Sequence, residues 1–294
     1  MRSPQTLLDK PLMPQQAWQP FTPRGVAAFA GATLTRLVLV QLAIAALLVI
    51  ALVWFLRIAW VPVITDAIQH LPDAGFIRRG ELTFGAESPV RLAGNTRLGV
   101  VVDIAGMRGA GQIADLEVTF EKDRLVFHGP LGEWSQPYDR NYIISLNRPE
   151  LEPAWGAWRG PLLAMVAIAT VLSVLMMWWG VGLLYLPLVK LIAFFADRGV
   201  TWRGAWRLSA AAPLPGACLV AMGLMLYAFG AIDLLRFGLL HLLHVLTGLV
   251  FAITSPSFLP KIRATNGKNP FAGSDEAQRK SGAPPNPFGR SDEK

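Results

Sequence analysis

The stretch LVLVQLAIAALLVIALVWFL, residues Leu37 to Leu56, contains one polar side chain, Gln41, and no charge. A helix of about twenty apolar residues crosses the roughly 30 Å hydrocarbon core of a bilayer. Such a helix also satisfies its own backbone hydrogen bonds, as a segment in hydrocarbon must. Arg57 and Trp60 follow the run, and both residue types favour the lipid headgroup zone. The stretch therefore predicts a transmembrane helix, which we place at residues 34–60.

Three further uncharged runs are Gly160 to Val189, Leu208 to Ile232 and Phe237 to Phe258. They predict transmembrane helices 2, 3 and 4, which we place at residues 158–189, 208–232 and 236–259. Pro187 is expected to end or bend the second helix. Prolines also interrupt the third run, which membrane helices tolerate when neighbours satisfy the freed carbonyls. Only 16% of the residues are charged, against about 25% in soluble domains. The predicted fold is a membrane α-helical bundle of four transmembrane helices with one domain in water.

The water-facing part lies between the first two spans. Residues 61–72 repeat apolar side chains at helical spacing and predict an interfacial amphipathic helix. Residues 73–157 predict a small extracytoplasmic all-β or mostly β domain. Its strand candidates are short and rich in Val, Ile and Phe: Glu81–Phe84, Pro89–Leu92, Arg97–Ile104, Asp115–Phe120, Arg124–Gly129 and Asn141–Leu146. The fourth and fifth of these, joined by a polar turn, predict a hairpin.

Basic residues cluster in three segments that four spans place on one side. These are a Pro-rich lead at residues 1–33, predicted to be disordered, a basic loop at 190–207, and a disordered tail at 260–294. By the positive-inside rule this side is cytoplasmic. The sequence therefore predicts a multi-pass protein of the bacterial inner (cytoplasmic) membrane with both termini cytoplasmic and the β domain outside.

The tail contains a short repeat in which Asn-Pro-Phe is followed by Ser-Asp-Glu. Its two copies consist of Asn269, Pro270, Phe271 and of Asn286, Pro287, Phe288. Asn-Pro begins turns readily and would present each Phe as an anchor. Two copies on one tether could bind a cytoplasmic partner with raised effective concentration. A solubilising tail whose repeat arose by duplication is the simpler interpretation.

The membrane-embedded polar residues form a second candidate set: Asp233, Arg236, His241 and His244. The two histidines are three residues apart and share a helix face. With the two charged residues they could form a proton or ion path, because intramembrane polar groups are costly and often functional. Hydrogen bonding between helices is the simpler interpretation. Two histidines do not complete a tetrahedral metal site, so no metal is predicted.

No catalytic or cofactor-binding residues are predicted. Asp103 ends a Val-rich strand beside glycines, but the Gly-Lys-Ser/Thr ending of a phosphate loop is absent. No serine lies in a G-x-S-x-G elbow. Cys218 is the single cysteine, which excludes a cysteine metal cluster. The net charge of +7 lies in short segments beside apolar runs, so it indicates topology control and lipid contact instead of nucleic-acid binding.

The order of these parts resembles a family of uncharacterised bacterial multi-span membrane proteins, some of them named maltodextrin-utilisation membrane proteins. Three stretches carry the resemblance: LPDAGFIRRGELTF (Leu71–Phe84), VVVDIAG (Val100–Gly106) and WRGAWRLSAAAPLPG (Trp202–Gly216). The last part is also similar to the broader Yip1-type group of membrane proteins. The resemblance implies an extracytoplasmic β domain between spans one and two. It implies no reaction, ligand or catalytic residue.

These features favour a non-enzymatic accessory or scaffold protein whose outer β domain and cytoplasmic tail bind partners. The lipid bilayer, envelope and cytoplasmic proteins, and further copies of the chain are its expected partners. An alternative is a transporter or channel subunit that uses polar residues of transmembrane helices 3 and 4. A membrane enzyme acting on lipid or wall precursors ranks last, because the sequence lacks a clustered set of acid, base or metal ligands.

Overall fold

The computed structural model describes residues 18–107 and 114–261. The predicted Asn-Pro-Phe repeat, and the lead as far as residue 17, lie outside the described residues. The chain has a helical part and a β part, and the β part lies between the first and second long helices. Four helical segments are long and apolar enough to cross a membrane: Leu34–Gln69, Arg148–Phe195, Trp202–Ala228 and Leu234–Phe258.

The helical part contains seven α-helices within the described residues. They are α1 (Pro23–Ala28), α2 (Leu34–Phe55), α3 (Val61–Gln69), α4 (Arg148–Phe195), α5 (Trp202–Ala211), α6 (Leu214–Ala228) and α7 (Leu234–Thr254). A π-helical turn, Leu56–Trp60, joins α2 to α3. Short 3₁₀ turns, Phe29–Gly31 and Ser255–Phe258, follow α1 and α7.

Side-chain caps fix where the four long helical segments begin. The caps accept a hydrogen bond from the backbone N–H three residues later, and they are Thr33, Asn147, Thr201 and Asp233. Each cap satisfies one of the orphan N–H groups of a helix start. Capping therefore explains why α4 begins at Arg148, before the apolar run that the sequence pattern marks.

The prediction of a disordered lead up to residue 33 is wrong for its second half. Residues 23–31 are helical, and Val26 and Phe29 are fully buried against the helical core. The same core contains Trp178 and Leu208, which are also fully buried. Apolar burial of about 25 cal/mol per Å² stabilises this segment, although its prolines weaken the sequence signal.

Three other predicted segments need correction. The helix predicted at 158–189 extends over Arg148–Phe195, and Pro187 lies inside it without ending it. The basic loop predicted at 190–207 is therefore wrong, because 190–195 continue α4 and 202–207 begin α5. The helix predicted at 208–232 is instead two helices, α5 and α6, which meet at Ala212 and Pro213. Pro213 lacks the N–H that would continue the helix.

The β part contains two antiparallel or mixed sheets. Its eight strands in the described residues are β1 (Gly75–Arg78), β2 (Glu81–Phe84), β3 (Val90–Gly94), β4 (Leu98–Asp103), β5 (Leu116–Glu121), β6 (Arg124–Gly129), β7 (Gly132–Pro137) and β8 (Ile143–Ser145). One sheet has the order β2-β1-β8 and the other β3-β4-β5-β6-β7. Each of the six strand candidates overlaps an observed strand, and the predicted β5–β6 hairpin is confirmed, with Thr119 opposite Val126. Strands β1 and β7 were not predicted.

The five-stranded sheet packs on α3. One buried cluster contains Val63 and Ala67 of this helix, Leu71 just after it, and Leu98 and Val102 of β4. The start of α4 is tied to α3 by a hydrogen bond of 2.8 Å from Trp155 Nε1 to Thr65 Oγ1. Helix α3 therefore lies between the five-stranded sheet and the long helices.

Candidate functional site

An apolar cavity of about 280 Å³ lies between α3, the five-stranded sheet and the start of α4. All its lining side chains are aliphatic or aromatic: Trp60, Ile64, Ala67, Ile68, Leu71, Leu92, Leu98, Val100, Leu116, Val118, Phe120, Phe127, Leu146 and Leu151. We call this space the apolar cavity. Close-packed proteins leave few spaces of this size between their elements.

The sequence builds this cavity from two different periodicities. On α3, Ile64, Ala67 and Ile68 lie at the i, i+3, i+4 spacing that places them on one face. On β4 and β5, alternate residues face the same side, and the parallel register sets Leu98 beside Leu116 and Val100 beside Val118. Helix and sheet therefore present two apolar surfaces to each other without filling the space between them.

The volume and lining of the cavity define what it can hold. An apolar cavity of about 150 Å³ stays dry and accepts benzene, and this cavity is nearly twice that size. Because the described residues that line it include no charged side chain and no convergent set of polar groups, it suits a hydrocarbon group and not a polar substrate.

A second cavity, of about 330 Å³, lies where the β part meets the turn between α6 and α7. It is lined by Thr96, Arg97, Asp115, Tyr227, Gly230, Ala231, Ile232, Asp233 and Arg236. We call it the polar cavity. Two arginines and two aspartates give its walls both signs of charge.

Arg97 and Tyr227 form the contact that holds the two parts together here. The Arg97 guanidinium donates from Nε and from Nη2 to the Tyr227 carbonyl, at the end of α6. The Tyr227 hydroxyl donates to Asp115 Oδ2 over 2.7 Å. A cation is favourable at a helix C-terminus, where carbonyls lack partners within the helix. Nearby, Asn95 Nδ2 donates to the Ala59 carbonyl over 2.7 Å.

The structure divides the predicted polar path into two pairs. Asp233 caps α7 and lies 3.6 Å from Arg236 Nε, at the rim of the polar cavity. His241 and His244 stack with their ring centroids 5.6 Å apart, and His244 is buried. From Asp233 to His244 the helix rises about 16 Å, so the charged pair and the histidines do not share one site.

A buried polar contact that the sequence reading did not identify joins three helices. Gln41, fully buried in α2, donates from Nε2 to the Ala210 carbonyl over 3.1 Å. Its Oε1 accepts a hydrogen bond of 3.0 Å from Trp179 Nε1 of α4. Ala210 lies in the last turn of α5, next to the break at Pro213. The one sequence feature that points to this contact is the lone glutamine inside an otherwise apolar run.

The predicted basic segments meet at the end of the helical part that lies away from the β part. Arg198 donates to the Leu259 carbonyl and pairs with Lys261 through a backbone bridge. Arg207 donates to the Ala32 carbonyl, and Arg24 lies over the ring of Phe258. We call this the basic end.

Among residues 18–107 and 114–261, no group of three His, Cys, Asp or Glu side chains could hold a metal ion. Asp103 is buried at the end of β4, and its Oδ1 accepts from the Met107 N–H at 3.3 Å. The Asp103 carboxylate therefore stabilises the turn that follows β4.

Comparison of the chain with protein-family models, with curated proteins and with solved structures found no match. The family resemblance therefore stays a prediction.

Proposed function

We propose that the chain is a multi-pass protein of the bacterial inner membrane, a non-enzymatic accessory or scaffold whose outer β part binds the apolar chain of a lipid. The apolar cavity is the observation that carries this proposal, because its lining suits hydrocarbon. The tail would bind a cytoplasmic partner through its repeated Asn-Pro-Phe segment.

The placement of charge supports this topology. The four long apolar segments run between the β part and the basic end. Lys and Arg concentrate on the cytoplasmic side of membrane proteins. With the basic end in the cytoplasm, the β part lies outside, and α3 rests at the outer surface of the bilayer.

That location supports a lipid chain as the ligand. The cavity lies beside the end of α2 and the start of α4, both of which would reach the outer leaflet. An acyl chain that leaves the bilayer there exchanges one apolar environment for another, so it avoids the cost of crossing water. Van der Waals contact with the closely spaced lining then favours the bound state.

Photolabelling tests this proposal. The purified chain is placed in lipid nanodiscs that contain a phospholipid with a diazirine on one acyl chain, and labelled peptides are mapped by mass spectrometry. We expect label on α3, β4 and β5. Ala67→Phe should lower that label several-fold, because Ala67 lines the cavity and an aromatic ring fits a void of this size.

The control variant is Ala86→Phe, since Ala86 is exposed on the β part. Label on exposed spanning residues such as Ile168 and Leu172 should be equal in all samples and serves as the internal reference. Labelling of β4 and β5 at background level would contradict the proposal. So would labelling that a correctly folded Ala67→Phe variant leaves unchanged.

A second candidate function, a transporter or channel subunit, is favoured by the break between α5 and α6. Discontinuous helices form midplane binding sites in many carriers. Near this break, a Cβ at residue 216 would lie 2.6 Å from the His244 carbonyl oxygen, so α6 and α7 approach closely. Among the described residues, His244 Nδ1 and Ser209 Oγ are buried without a hydrogen-bond partner. A proteoliposome flux assay with His241→Ala and His244→Ala tests it. Unchanged proton or solute movement would exclude this path.

A further inference from the structure

The apolar and polar cavities are neighbours along two strands. Leu98 and Leu116, which are register partners, line the apolar cavity. The residues just before them, Arg97 and Asp115, line the polar cavity. One residue step along a strand is about 3.3 Å, so the linings of the two cavities come within one residue of each other at the beginning of β4 and β5.

An aromatic layer forms the other boundary between the cavities. Trp60 lines the apolar cavity and Tyr227 lines the polar cavity. Phe55 lies between them, with ring centroids 6.1 Å from Trp60 and 5.3 Å from Tyr227. A ligand that uses both spaces would therefore have an apolar section and a polar section on either side of this layer.

The charges of the polar cavity indicate the chemistry of the polar section. Arg97 and Arg236 supply positive charge, and Asp115 and Asp233 supply negative charge. A purely anionic group would gain from the arginines but would be repelled by the two carboxylates. A group with one negative and one positive charge matches both pairs, since arginine N–H groups suit phosphate and carboxylates suit an ammonium.

We infer that the polar cavity binds the headgroup of a zwitterionic phospholipid with a phosphate and a primary ammonium, while one of its acyl chains occupies the apolar cavity. This inference rests on the proposed chain-binding function. Arg236 is the residue best placed to adapt to the phosphate, because its side chain is 67% exposed and its Nε lies 3.6 Å from Asp233. Arg97 is held by the Tyr227 carbonyl and forms the fixed wall.

Three photoreactive phospholipids with the same acyl chains and different headgroups test the inference in nanodiscs. The headgroups are phosphoethanolamine, phosphocholine and phosphoglycerol. We expect the ethanolamine lipid to label the strands of the apolar cavity about tenfold more than the glycerol lipid, the size of one charge-assisted hydrogen bond. Phosphocholine should be intermediate, because its quaternary ammonium has no N–H to donate to a carboxylate.

Arg236→Gln should remove most of the preference for the ethanolamine lipid, and Arg159→Gln should preserve it, since Arg159 is an exposed arginine near the start of α4. Binding of soluble phosphoethanolamine is measured separately by calorimetry. Binding of this soluble compound together with background labelling by all three lipids would replace a lipid ligand with a small soluble one and overturn the inference. Equal labelling by all three lipids overturns the headgroup assignment while the chain-binding function stands. Background labelling by all three contradicts the proposed function itself.

Discussion

The side-chain amide of Gln41 donates to the main-chain carbonyl of Ala210 over 3.1 Å, although 169 residues separate the two. The same amide accepts from Trp179 Nε1. Gln41→Leu should therefore lower the free energy of unfolding by about 1–3 kcal/mol, because the buried Ala210 carbonyl and the part-buried Trp179 N–H lose their partner. Equilibrium unfolding in mild detergent measures this change.

Leu39→Ala is the matched control, since Leu39 lies on the same helix and is 50% exposed. Its effect in detergent should be within about 0.5 kcal/mol of zero, as for other surface substitutions. A Gln41→Leu variant as stable as the Leu39→Ala variant would show that the contact joins α2 to α5 without stabilising the fold.

The separation of helical and β parts could be predicted from the sequence, because each depends on local patterns. The β5–β6 hairpin followed from the alternation of Leu116, Val118 and Phe120 and from a polar turn. The parallel pairing of β4 with β5 could not be predicted in this way, since no short-range turn sets its register. The apolar cavity depends on that pairing.

The candidate site was beyond sequence reasoning for a similar reason. Arg97, Asp115, Tyr227 and Arg236 meet in the polar cavity, but they belong to different elements and no spacing rule relates them. The sequence did identify Asp233 and Arg236 as candidates, but it predicted that they act with His241 and His244 along one helix. Helical periodicity finds residues on one element, whereas the docking of the β part on α6 decides which elements meet.

Gly182 provides a test of how closely α4 packs on α5. A Cβ at residue 182 would lie 2.8 Å from the Ala210 Cβ and 3.0 Å from its backbone nitrogen. Because backbone atoms cannot move aside cheaply, Gly182→Ala should destabilise the helical part by about 1–3 kcal/mol. Thermal unfolding in detergent, followed by circular dichroism, measures the loss.

Gly180 provides the control on the same helix, because a Cβ there would meet no atom of the described residues within 4 Å. Gly180→Ala should be neutral or stabilising by up to about 1 kcal/mol, through helix propensity alone. Equal effects of the two substitutions would contradict the close contact between α4 and α5.

Tyr138 should make the β part sensitive to alkaline pH. Burial raises the pKa of its hydroxyl above the usual value of 10.0, and the nearby carboxylates of Glu121 and Asp123 raise it further. The hydroxyl also donates to the Glu121 carbonyl over 3.1 Å. Since the unfolded state releases this proton at lower pH than the folded state, stability should fall as pH rises above 10.0.

Spectrophotometric titration of tyrosinate measures this effect by difference against Tyr138→Phe. We expect the missing tyrosine to ionise above pH 10.0 in the folded chain and near the usual value in denaturant. The stability of Tyr138→Phe should also decline less steeply in alkali. A difference titration at the usual value in the folded chain would contradict the burial of this hydroxyl.

Cysteine accessibility tests the proposed topology. In a Cys218→Ala background, Glu87→Cys in the β part should react with a membrane-impermeant maleimide on intact spheroplasts, because Glu87 is exposed on the proposed outer side. Lys261→Cys at the basic end should react only after the membrane is permeabilised. The reverse pattern would invert the topology, and reaction of both variants in intact spheroplasts would exclude it.

Arg97 should control how firmly the β part is docked on the end of α6. Arg97→Met removes two hydrogen bonds to the Tyr227 carbonyl and the cation 5.2 Å from the centre of the Tyr227 ring. A loss of about 2 kcal/mol is expected, since hydrogen bonds from charged groups contribute about 1.5–3 kcal/mol each and this arginine is only half-buried. Hydrogen exchange should quicken over 225–232 while β5 and β6 keep their protection.

Arg97→Lys separates the role of geometry from the role of charge. Lysine keeps the positive charge at the helix C-terminus but lacks the planar fork that makes both bonds, so its loss should be about half as large. Arg78→Met, at an exposed position on β1, is the control and should leave exchange over 225–232 unchanged. If Arg97→Met also leaves this exchange unchanged, the Asn95 contact with the Ala59 carbonyl holds the β part in place, and the wall of the polar cavity does not depend on Arg97.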